Sequence, residues 1–362
     1  MADGERRAWG WVAALRAGAT TPWREFTGTA ERGGRYLPGA QQLELLRRLN
    51  LAGRPGPTLV ERVLTASAPG RGRPDLELVG VADESPFGPR PVDPATLPDA
   101  ELIRVATGLI AEDLVAAGAP PPPPAGRPRP WRRAYRLVGD PWLADPARAE
   151  LRRRGRPPGG RRPTIYVLGT DLATLLAHAW TTRAFDEGGG PWPDWLGGFV
   201  GHDRVPPRAD LTRFARTWAE RVGRSRVQVV LDPDRLPALV GVRRPLPGPP
   251  AYSADAIDLV RRVSAPLGLL VLPEERTRLL RETLGPRLAD AAGPPPGVPP
   301  QHADWVVQRA VRMRDELLGA GYAVHGDPDA LVPDAPAEGT TPDDAGVLSL
   351  AVRLLLEDGD RR

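Results

Sequence analysis

The sequence predicts an α/β protein, with a mainly parallel sheet covered by helices and a mostly helical N-terminal region. Three observations carry this. Beyond a proline-rich segment, strand-like and helix-like runs alternate: YRLVG at 135–139 precedes one helical pattern, and TIYVLG at 164–169 precedes another. A third strand-like run, RVQVVL at 226–231, follows an amphipathic helix directly. The N-terminal third carries leucine-rich and alanine-rich helical patterns instead. Alternating strands and helices favour a parallel sheet with helices packed on it.

Residues 1–118 make up the N-terminal region, where a leucine-rich helix follows Pro38 and ends at Gly53. The stretch PPPPPAGRPRP, Pro120–Pro130, must run extended as polyproline II, so 119–130 reads as a linker; such a segment can also dock in an aromatic groove. Residues 131–333 form the α/β domain. Tyr135–Gly139 is its first apolar run, and Asp145–Gly155 has helical periodicity, with Asp145 as N-cap and Pro146 at the first helical position. β-Branched and aromatic residues make Thr164–Gly169 a buried strand, followed by a helix from Asp171 to about Arg183. Leu211–Val222 puts Leu211, Phe214, Ala215 and Trp218 on one helical face. Further helices are expected at Ser253–Val263, Pro273–Leu284 and Gln301–Ala320, with the prolines of 293–300 as a loop inside the domain. Residues 334–362 are an acidic tail containing a helix, Thr341–Glu357, whose apolar face (Val347, Leu350, Ala351, Leu354, Leu355) docks on its own chain or on a partner.

The chain also echoes itself. Ala8-Trp9 leads to Gly18 and then Pro22-Trp23; Ala179-Trp180 leads to Gly190 and then Pro191-Trp192. In both stretches a proline (Pro38, Pro207) precedes a helix ending in glycine (Gly53, Gly223), and Leu-Val-Gly-Val follows at 78–81 and 239–242. A diverged duplication and compositional bias account for this series equally well. If it is a duplication, the N-terminal third is a partial unit with a packing role.

Composition excludes whole classes of chemistry. With no cysteine there are no disulfides, thiolate nucleophiles or iron–sulfur clusters. All 49 basic residues are arginine, which removes Schiff-base lysines and the lysine of a phosphate-binding loop. A formal charge of +4 does not imply nucleic acid. The start, MADGERRAWGWVAALR, lacks the pattern of a secretory signal, and Leu267–Leu272 is too short to span a bilayer, so a cytoplasmic protein with no membrane partner is expected.

From Tyr135 to Pro333 the chain resembles the sulfotransferase-like proteins common in actinobacteria. The resemblance rests on Asp171-Leu172-Ala173-Thr174-Leu175-Leu176-Ala177-His178-Ala179-Trp180 and on the closing stretch with Gly321-Tyr322, Val324-His325-Gly326-Asp327 and Leu331-Val332-Pro333. It implies a three-layer, P-loop-type α/β sandwich and, in active members, 3′-phosphoadenosine 5′-phosphosulfate as donor. Both nucleotide motifs depart from the family pattern. In the first, Gly139 and Pro141 remain, but Trp142 replaces a basic residue, Ala144 a glycine, and Asp145-Pro146 a hydroxyl pair. A carboxylate at a helix start repels phosphate, and proline has no N–H to offer. In the second, Thr170 stands before Asp171 where the family has an arginine for the 3′-phosphate.

The resemblance thus implies a sulfotransferase-like protein that is non-catalytic and acts as a binding or accessory component. One alternative retains sulfuryl transfer to a hydroxyl, with Gly139, Trp142, Asp145, Thr170 and Asp171 at the nucleotide and His178 as general base. Another is an arginine-rich module for an anionic small molecule or protein, using Arg152, Arg153, Arg154, Arg161 and Arg162. The four histidines, at 178, 202, 302 and 325, have no metal-site spacing, so no metal is expected. His325-Gly326-Asp327-Pro328-Asp329 reads as a turn.

Overall fold

The computed structural model describes residues 3–66, 76–81, 90–122, 124, 126–127, 133–333 and 340–359. In chain order its α-helices and strands are α1 (Asp3–Arg16), α2 (Ala40–Ala52), α3 (Pro57–Thr65), α4 (Asp99–Ala117), β1 (Tyr135–Gly139), α5 (Pro141–Arg153), β2 (Thr164–Leu168), α6 (Leu172–Asp186), α7 (Trp192–Gly201) and α8 (Leu211–Val222). There follow β3 (Val227–Val230), α9 (Leu236–Leu239), α10 (Ala254–Leu270), α11 (Pro273–Arg278), α12 (Gly285–Leu288), α13 (Ala303–Gly319), β4 (Ala323–His325) and α14 (Asp344–Gly359).

These elements form two compact units: a helical unit of residues 1–119, 258–291 and 342–362, and an α/β unit of residues 120–257 and 292–341. The division differs from one drawn at the proline clusters. Prolines punctuate the chain path, whereas the units follow buried apolar faces, and 258–291 and 342–362 go with the N-terminal helices. In the helical unit α14 packs on α4 and α2, burying Val347, Ala351, Leu354 and Leu355. The apolar face of the last helix is therefore covered by its own chain. Of the proline-rich linker, Pro123, Ala125 and 128–130 lie outside the described residues; Gly126 donates to the Arg152 carbonyl at 3.1 Å.

The α/β unit is built on one parallel sheet in the order β1-β2-β3-β4. Period-two alternation divides its side chains. Val138, Ile165, Val167, Val227 and Val229 face α6, α7, α8 and α13, while Tyr135, Leu137, Tyr166, Leu168 and Val230 face α5 and α9. Helices therefore cover both sheet faces. The chain leaves β1 over one face and β2 over the other while stepping in the same direction, so these two crossovers have opposite hands, and one departs from the right-handed rule. Connections that diverge to opposite faces open a crevice at the carboxyl ends of the two strands between them.

β4 was not expected from the sequence, being three residues long and partly exposed. Residues 325–329 do form a turn: Asp327 caps the short 3₁₀ helix that follows. The start of α5 corrects the sequence reading. Asp140, not Asp145, is the N-cap, accepting from Trp142 N at 2.9 Å, and Pro141 takes the first helical position. Pro146 lies inside the helix, where its missing N–H leaves the Trp142 carbonyl without the usual bond.

The internal echo has a geometric counterpart in a shifted register. Trp11, not Trp9, corresponds to Trp180. The Trp11 indole donates to the Thr21 carbonyl at 2.9 Å and packs on Trp23 at 5.4 Å; the Trp180 indole donates to Gly190 at 3.1 Å and packs on Trp192 at 5.5 Å. Each acceptor immediately precedes the Pro-Trp pair. Gly80 and Gly241, in the two Leu-Val-Gly-Val stretches, share a left-handed turn with φ of +78° and +75°.

Candidate functional site

Of the sequence-predicted site residues, Gly139, Trp142, Thr170, Asp171 and His178 meet at the crevice at the ends of β1 and β2. β1 closes at Gly139 with φ +94°, and a Cβ there would lie 2.3 Å from the Leu168 carbonyl oxygen, so only glycine lets the chain turn this close to β2. Asp140 follows, fully buried. Its backbone N–H donates to the Leu168 carbonyl at 3.0 Å; its carboxylate accepts from Trp142 N through Oδ1 and meets His178 Nδ1 through Oδ2 at 2.5 Å. A buried carboxylate costs free energy unless hydrogen-bonded, and these two partners satisfy it.

Trp142 is the second residue of α5. Its ring is buried against Phe185 and Tyr252, with centroids 5.3 and 6.0 Å away, and its indole donates to the Pro250 carbonyl at 3.1 Å. Beyond β2, Asp171 caps α6 by accepting from Thr174 N at 2.9 Å, and Thr170 Oγ1 lies 3.4 Å from its other carboxylate oxygen. One face of α6 then presents Thr174, Ala177, His178 and Thr181, at helical spacing, to a cavity of about 640 Å³. Trp142, Tyr252, Val306, Val332 and prolines at 249–250 and 294–296 form much of its remaining wall. His178 is turned by Asp140 so that Nε2, which has no hydrogen bond among the described residues, is left for the cavity. A fixed tautomer with a free ring nitrogen can accept or deliver a proton, or hold a single polar group of a ligand.

These residues do not fit a phosphosulfate cradle. The amides of Asp140 and Trp142 are both engaged, Pro141 has none, and the start of α5 is already capped by a carboxylate, that of Asp140. Asp145 lies apart from the crevice, half-buried and paired with Arg148 at 2.7 Å. Nor do the candidate arginines form one anion site. Arg153 and Arg154 both bind Glu150, Arg154 foremost, holding that carboxyl below the usual range; Arg154 also donates to the carbonyls of Arg244 and Pro245. Arg152, Arg161 and Arg162 are exposed.

Sequence reasoning missed Asp140, Phe185 and Tyr252. Asp140-Pro141 carries the same N-cap signature as Asp145-Pro146 and could have been weighed against it; nothing local marks the two aromatics. Among the described residues no group of three histidines, aspartates or glutamates could hold a metal ion, and no helix is long and apolar enough to cross a membrane. Comparison with family models, with curated proteins and with solved structures finds no match to this chain.

Proposed function

We propose that this chain is a sulfotransferase-like protein that has given up its nucleotide donor and acts as a non-catalytic binding component for a small, mainly apolar molecule carrying one hydrogen-bonding group. The observation behind this is the exchange of an anion loop for an aromatic floor: Trp142 is held by Pro250, Phe185 and Tyr252 beneath a cavity of ligand size. The ligand's apolar body packs on Trp142, Tyr252 and the proline walls, and His178 Nε2 takes its polar group. Calorimetry with millimolar adenosine 3′,5′-bisphosphate should give no saturable heat, whereas N-phenyl-1-naphthylamine, a neutral apolar probe, should bind and be displaced from an Ala177→Phe variant. Saturable nucleotide binding, or probe binding indifferent to Ala177→Phe, would reject the reading.

A second reading keeps proton transfer at this site, favoured by the Asp140–His178 pair. A buried carboxylate on Nδ1 stabilises an imidazolium formed when Nε2 takes a proton from a bound hydroxyl. The oxygen that loses its proton attacks an activated acyl ester supplied with the ligand, and the ester's alcohol leaves with the proton from Nε2; this reading predicts turnover that falls in His178→Gln without loss of ligand binding.

A further inference from the structure

A second site lies on the opposite flank of α13 from the cavity wall, in a cleft of about 290 Å³ between α8, α13 and the loop at 203–205, and it shares no lining residue with the cavity over His178. Arg213 and Arg216 are three residues apart on α8, and Arg309 and Arg312 are three apart on α13, so each pair projects from one helical face; Arg204 completes the set. Arg309 is an anchor. It binds the carboxylate and carbonyl of Asp203, whose carboxylate also accepts from the Trp305 indole at 2.9 Å. Asp203 is the non-glycine residue with positive φ, +49°, among the described residues, so both side chains lock a turn that few residues adopt. Arg309, with Trp305 beside it, keeps this carboxyl below its usual range, and the pair stays ionised and mutually neutralised.

The other four guanidinium groups, of Arg204, Arg213, Arg216 and Arg312, make no hydrogen bond or close ion pair among the described residues, although Arg312 lies near enough to Asp203 to help lower its carboxyl. Two further carboxylates line the cleft. Asp210 is committed to capping α8, accepting from Arg213 N and the Thr212 hydroxyl, and Glu316 is exposed. Five guanidinium groups therefore face three carboxylates, an excess of two positive charges gathered on rigid helices in a small polar opening. Like charges held together in this way repel unless an anion joins them, and the planar fork of arginine matches a tetrahedral oxyanion through paired N–H donors.

We propose that this cleft binds the phosphoryl group of a small phosphomonoester, a dianion that balances the excess charge. Binding is electrostatic and therefore weakens with salt. The probes are inorganic phosphate and phenyl phosphate, titrated calorimetrically at low ionic strength into the full chain. Saturable binding is expected. It should weaken at least tenfold in the triple variant Arg213→Gln, Arg216→Gln, Arg312→Gln and stay unchanged in Arg152→Gln, Arg161→Gln, Arg162→Gln, an equal loss of charge elsewhere. All six side chains are exposed, and circular dichroism of each variant should match the parent. Absence of saturable binding, or equal weakening in both triples, overturns the proposal. So does retention on heparin that depends on the first three arginines without any phosphate binding, which would assign the cleft to a polyanionic macromolecule.

Discussion

Replacing Asp140 with alanine should loosen the start of α5 far more than replacing Asp145, although the two aspartates precede proline in the same way. Two interactions are lost at Asp140. The N-cap bond to Trp142 N contributes about 1 kcal/mol. The charge-assisted bond to His178, between side chains only 1% and 16% exposed, contributes about 1.5–3 kcal/mol. Together they amount to about 3 kcal/mol. Asp145 loses only an ion pair with Arg148 whose side chains are 44% and 29% exposed, on the order of 0.5 kcal/mol or less. Hydrogen exchange read by mass spectrometry on peptides from α5 isolates this helix from the separate helical unit. About 3 kcal/mol speeds exchange by roughly a hundredfold, while about 0.5 kcal/mol changes it about twofold. Asp140→Asn, which keeps a capping oxygen, should fall between. A cycle with His178→Ala should show coupling of at least about 0.5 kcal/mol. Equal effects at Asp140 and Asp145 would refute the helix start, and strict additivity with His178 would refute the pair.

Gly139→Ala combines a left-handed φ with the Leu168 oxygen 2.3 Å from the new Cβ, and should cost at least about 2 kcal/mol in thermal or urea unfolding; a neutral result would deny the close approach of β1 to β2. His325 has its pKa lowered below 6.5 by burial, with Arg235 adding to it, so the unfolded chain takes up the proton more readily. Stability from this residue is whole above the unfolded value and is lost as pH falls through the folded one. His325→Gln should therefore flatten the loss of melting temperature between about pH 7 and 5, and an unchanged slope would remove the explanation. Trp11→Phe and Trp180→Phe each delete an indole bond to the carbonyl before Pro-Trp and should cost about 1 kcal/mol more than Trp9→Phe, whose indole N–H is buried with no partner. A larger loss at Trp9 would restore the register that pairs Trp9 with Trp180.

What the sequence made legible depended on how local the physical signal was. β1, β2 and β3 were readable because β-branched and aromatic runs end in glycine or a turn, and α6 and α8 because their apolar residues repeat at helical spacing. The start of α5 was misplaced because two Asp-Pro pairs compete, and only burial of Asp140 against His178 decides between them. The arginine cleft was invisible for the opposite reason. Consecutive arginines at 152–154 spread around a helix end, and two of them are consumed by Glu150, whereas Arg204, Arg213, Arg216 and Arg312 come from separate stretches that only packing brings together.

The repeated tryptophan staple separates scaffold from site. In both units an indole one helix away from a Pro-Trp pair ties the helix to the next turn, so the device serves packing wherever it occurs. In α6 the residue two positions before the staple tryptophan is His178; at the same place in α1 stands Trp9, buried and without a titratable group. The N-terminal stretch also lacks, among the described residues, a strand in the place of β1 and a carboxylate like Asp140 at its end. A function common to both units would have to reside in what they share, and they share the staple and the glycine turn. On the proposed reading, a ligand of His178 is therefore bound once, at the crevice where β1 and β2 send their helices to opposite faces.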